Sequence, residues 1–68
     1  MKAWAKIQQT TDGKFQLRLR TGGVSSVLAT FDTFDEANAT VLKYIGPVHM
    51  DHMPDPRTGL DGWFGEAL

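Results

Sequence analysis

A strict two-residue alternation near the start restricts this chain more than any other feature. Ala3, Ala5 and Ile7 alternate with Lys2, Trp4, Lys6 and Gln8, and Phe15, Leu17 and Leu19 alternate with Lys14, Gln16, Arg18 and Arg20. Such alternation puts apolar side chains on one face of a strand and polar ones on the other, so both stretches read as half-buried strands. Asp12-Gly13 between them is a hairpin signal. A two-residue loop there sets Ile7 opposite Arg18 and mixes the faces. A three-residue loop, Thr11-Asp12-Gly13, sets Ile7 opposite Leu17 and Ala5 opposite Leu19, with Gly13 at the left-handed position of a G1-bulge loop. The three-residue loop is therefore expected.

A second hairpin is expected at Gly22-Gly23, leading into a strand from Val24 to Phe31. A two-residue loop there sets Leu28 opposite Leu17; a three-residue loop sets Val27 opposite Leu17. The residues themselves leave both open. A helix follows over about Phe34 to Ile45. Thr33-Phe34-Asp35-Glu36 matches a capping box, Phe34, Ala37, Val41 and Ile45 recur at helical spacing, and Gly46-Pro47 is a stop signal. The expected fold is α+β: a three-stranded antiparallel sheet of two hairpins packed on one helix (residues 1–46), then a loop-rich, acidic, Pro/Gly-rich C-terminal tail (residues 47–68). Leu60, Trp63 and Phe64 are expected to anchor that tail to the body or to contact a partner, because free exposure of such a cluster is unfavourable.

The preferred register has a functional consequence. It sets Lys6 opposite Arg18 and Trp4 opposite Arg20 on the face away from the helix, with Lys14 and Gln16 beside them. Like charges facing each other across a sheet are relieved by a guanidinium stacked on Trp4 or by an anionic partner. Trp4, Lys6, Lys14, Arg18 and Arg20 are therefore the candidate binding residues. The net charge of −1 conceals this, because residues 1–31 carry five cations and one carboxylate while residues 32–68 carry two cations and seven carboxylates.

Lys14-Phe15-Gln16-Leu17-Arg18-Leu19-Arg20 and the passage Val27-Leu28-Ala29-Thr30-Phe31-Asp32-Thr33-Phe34-Asp35-Glu36-Ala37 resemble the AP2/ERF and integrase arm-binding type of domain over residues 2–45. The resemblance implies a three-stranded sheet on one helix that binds the DNA major groove through the sheet. It also implies an inward-facing Leu28 and DNA contacts from Trp4, Lys6, Arg18 and Arg20.

Other chemistry finds little footing. The 68 residues include no cysteine, which removes disulfides, thiolate metal sites and a cysteine nucleophile. A core of this size supplies only about 3–5 kcal/mol. No nucleophile elbow, phosphate loop or dinucleotide fingerprint occurs, so no enzyme is expected. His49-x-Asp51-His52, with Asp55 nearby, has metal-ligand residue types but no metal-site spacing, so no metal or other cofactor is expected. No apolar run reaches the roughly 18–20 residues of a membrane span, and the start lacks an apolar leader core, so a cytoplasmic protein is expected. The functional expectation is a non-catalytic module presenting a basic, Trp-bearing sheet face to nucleic acid, with DNA foremost. The alternative is a small regulator of the kind phages and mobile elements encode, which binds a host protein to inhibit or adapt it. A homodimer built on Leu60, Trp63 and Phe64 is a further expectation.

Overall fold

The computed structural model describes residues 3–22 and 26–67. Five strands and one helix follow in the order β1 (Trp4–Gln9), β2 (Phe15–Arg20), β3 (Ser26–Phe31), α1 (Phe34–Ile45), β4 (Asp51–His52) and β5 (Gly62–Glu66). All pairings are antiparallel, and the strands lie in the sheet in the order β3-β2-β1-β5-β4.

The first hairpin has the three-residue loop. Ile7 pairs with Leu17 and Ala5 with Leu19. The Thr10 N–H donates to the Lys14 carbonyl at 2.8 Å, and Gly13 takes the left-handed conformation at φ 82°. The Thr10 hydroxyl also donates to the Asp12 carboxylate, which is the main reason the Asp12 carboxyl lies below its ordinary value. A carboxylate lowered by folding adds stability above the ordinary carboxylate range and loses it as the pH falls through the lowered value.

The helix runs over the expected residues. The Thr33 side chain accepts from the Glu36 N–H at 3.2 Å and donates to the Glu36 carboxylate at 3.1 Å. The Thr33 hydroxyl thus caps one free N–H of the first turn and is itself held by the Glu36 carboxylate. Gly46, at φ 81°, closes the other end by donating its N–H to Leu42. The helix lies over β1, β2 and β3. Ala5, Ile7, Leu17, Leu19, Ala37 and Val41 are fully buried between helix and sheet.

Two expectations are corrected. The second hairpin adopts neither anticipated register: Leu17 pairs with Ala29, Leu19 with Val27 and Phe15 with Phe31. Leu28 consequently points away from the helix and is 63% exposed, contrary to the inward position implied by the family resemblance. Val27, Ala29 and Phe31 take the helix side, whereas a one-residue slip would bring Ser26, Leu28 and Thr30 there. Burying three apolar side chains outweighs burying one with two hydroxyls. Of the Gly22-Gly23 turn, Gly23 lies outside the described residues.

The sheet also has five strands, not three, because residues 47–68 supply β4 and β5. β5 pairs along β1, with Trp63 opposite Ile7 and Phe64 opposite Lys6. The Ala67 N–H extends the ladder to the Ala3 carbonyl at 2.8 Å, and the Gln9 N–H reaches the Asp61 carbonyl at 2.9 Å. The two glycines of β5 let neighbouring chain cross it closely. A Cβ on Gly65 would lie 2.6 Å from the His49 carbonyl oxygen, and one on Gly62 would lie 2.8 Å from that of Met53.

Gly65→Ala is expected to destabilise the protein by about 1–3 kcal/mol, the usual cost of overpacking, read as a lower urea midpoint. Truncation after Pro47 should abolish cooperative unfolding by circular dichroism, because it strips one whole side of β1.

Candidate nucleic-acid interface

The alternation that buries Ala5, Ile7, Leu17 and Leu19 puts Trp4, Lys6, Arg18 and Arg20 on the opposite face. Trp4 pairs with Arg20 and Lys6 with Arg18. Lys6, Arg18 and Arg20 are exposed. Among the described residues the ion pairs are Lys14–Asp32 at 3.7 Å, His49–Asp51 at 2.9 Å and His52–Asp61 at 3.0 Å. The three cations around Trp4 therefore have no ion-pair partner among the described residues. Lys14 stands apart from them, before β2, and its charge is partly offset by Asp32 through an exposed pair worth little to stability.

The three C-terminal anchor candidates separate. Trp63 faces the helix side, with its ring 4.5 Å from Phe34 and 6.1 Å from Phe15. Phe64, its neighbour in sequence, faces the other way and stacks on Trp4 with ring centroids 6.2 Å apart and planes at 26°. Leu60 sits at the end of a turn, where its carbonyl accepts from the Asp55 N–H at 2.9 Å. The ring that Trp4 meets is therefore Phe64, a residue that alternation in the first two strands does not reveal.

A groove of about 650 Å³ opens over this aromatic pair. Its floor includes Trp4, Lys6, Arg18 and Phe64, and its wall is the Met53-Pro54-Asp55-Pro56 segment. The wall exists because the chain passes close by Gly62 after β4, and its stiffness comes from Pro54 and Pro56. Met53 is 60% exposed. A second groove of about 440 Å³ adjoins it, formed by Trp4, Arg18, Arg20, Ser26 and Leu28. Trp4 and Arg18 belong to both grooves, which makes a track across the sheet from β3 to the loop.

The face also carries carboxylates. Glu66 pairs with Trp4 across β5, and Asp51 pairs with Phe64 across β4. Positive charge thus lies on β1 and β2, and negative charge on β4, β5 and the loop. The two histidines are each used in a pair with a carboxylate, and among the described residues no three metal-ligating side chains converge. Among the described residues, no helix is long and apolar enough to cross a membrane. Comparison with known proteins returns no matching family model, no significantly similar curated protein and no significantly similar solved structure.

The Trp4–Phe64 contact should be measurable as a coupling. A double-mutant cycle of Trp4→Ala and Phe64→Ala, followed by urea unfolding, is expected to give about 0.5–1.5 kcal/mol of interaction.

Proposed function

We propose that this chain is a non-catalytic module that binds nucleic acid, with DNA the first candidate, through the sheet face carrying Trp4, Lys6, Arg18 and Arg20. One observation carries this reading: three cations with no ion pair among the described residues surround a half-buried aromatic stack on the face turned away from the helix. Cations neutralise phosphates and release their counterions, while aromatic planes and guanidinium groups contact bases. The resemblance to AP2/ERF-like domains supports the same face. Lys14 contributes less, being held by Asp32. Three phosphate contacts correspond to a slope of about −2 to −3 in log affinity against log salt.

A second reading is favoured by β3. This edge strand, Ser26 to Phe31, has no charged residue and no proline, and it leaves Leu28 exposed. Unguarded edges pair with other chains. In this reading the partner is a protein, either a host target or a second copy joined through β3. Trp63 is packed against Phe34 and Phe15 within the chain, so Leu28 is the apolar residue this contact would use.

Titration at about 50 mM salt is expected to show binding to duplex or single-stranded DNA that weakens with salt. Reversal of both Arg18→Glu and Arg20→Glu should abolish it. Absence of binding to either form of nucleic acid rejects the first reading. For the second, sedimentation equilibrium should show self-association that Leu28→Lys removes; a monomer at high concentration excludes the second copy.

A further inference from the structure

The groove between the aromatic pair and the Met53–Pro56 wall points to the form of nucleic acid that fits. Resting on the nucleic-acid reading above, we infer that this groove holds an unstacked base of a single strand. In that pose the base lies against Trp4 and Phe64, and the phosphates lie over Arg18 and Arg20.

Three features of the molecule lead there. The aromatic surface lies in a half-open groove rather than on a flat face. The Met53-Pro54-Asp55-Pro56 segment stands beside Phe64, so the ring pair is reached by a group that enters a groove. A paired base in a duplex keeps its faces stacked on its neighbours and offers only its edges; an unpaired base can present its whole face.

The charges along the groove are graded, with Lys6 and Arg18 on its floor and Asp55 on its wall. Asp55 on the wall repels phosphate but not a neutral base, and its free carboxylate oxygen can accept from a base N–H such as the N3–H of thymine or uracil. Arg18 and Arg20 lie on the other side of Trp4, along the second groove, where the phosphates of the same strand would pass. Finally, Trp4 and Arg18 are shared by both grooves, so one continuous strand can use the stacking site and the cations together.

The test compares an unstructured oligothymidine of about six nucleotides with a DNA hairpin duplex at equal salt. The Trp4 indole N–H is followed by nitrogen-15 NMR and assigned with Trp4→Phe. The expected result is at least roughly tenfold tighter binding of the single strand, with the Trp4 signal shifted far more than that of Trp63. Phe64→Leu, which keeps apolar bulk on β5 but removes the π face, should weaken single-strand binding roughly tenfold with the salt slope unchanged. Its own NMR spectrum reports whether it is folded. The corresponding oligouridine separates RNA from DNA as the source of the strand.

Equal or tighter binding of the duplex overturns the inference and leaves the broader nucleic-acid reading standing. Unchanged single-strand affinity in folded Phe64→Leu overturns it likewise. Failure of both nucleic acids to bind overturns inference and reading together.

Discussion

The docking of β5 against β1 is the interaction on which the rest of the molecule depends. β1 is the central strand, and its Ala5 and Ile7 are fully buried. With β2 alone beside it, β1 would present a free row of N–H and C=O groups at an edge. β5 covers that edge and places Trp63 opposite Ile7, where the indole reaches Phe15 and Phe34. Adjacent strand residues point to opposite faces. The same pairing therefore turns Phe64 outward onto Trp4. Core completion and the aromatic platform are two sides of one strand, so any displacement of the platform also disturbs the core.

This coupling explains why β5 contains glycine where a strand ordinarily avoids it. The chain must travel from the end of α1 on one face to the Met53–Pro56 wall on the other. It passes close over Gly65 at His49 and Met50, and close by Gly62 at Met53. A side chain at either position would push that crossing segment outward. The groove wall and the packing of Val48 and Met50 against the core both depend on it.

The parts of the fold legible in sequence are those set by neighbouring residues. The first hairpin follows from alternation and the Asp12-Gly13 signal, and the helix from its Thr33 cap and the Gly46 stop. The cations around Trp4 were legible for the same reason, since their face is determined once that hairpin register is known. The β2–β3 register was not, because Arg20 pairs with Ser26 rather than across a two- or three-residue turn. Phe31 meeting Phe15 decides it instead, and Leu28 is left outside. β5 was hidden because its five residues include two glycines and two adjacent aromatics, a pattern with no period. Phe64 stood out as an apolar residue of the tail, but its stacking on Trp4, and with it the groove, could be found only by knowing that the end of the chain returns to its beginning.

Near-zero net charge gives a poor account of how such a surface meets a polyanion. At physiological ionic strength the Debye length is about 8 Å, shorter than the span of the sheet, so an approaching phosphate responds to the local patch. Here the patch is graded. Lys6, Arg18 and Arg20 attract over β1 and β2, while Glu66, Asp51 and Asp55 repel over β5, β4 and the wall. In the proposed complex a strand laid toward β4 would have its phosphates opposed, and one laid over β2 would have them met. The base, being neutral, is the part of the nucleotide that can turn toward Phe64 without electrostatic cost. In that proposed complex the acidic half of the chain would act on orientation, opposing a backbone laid toward β4 and favouring one laid over β2.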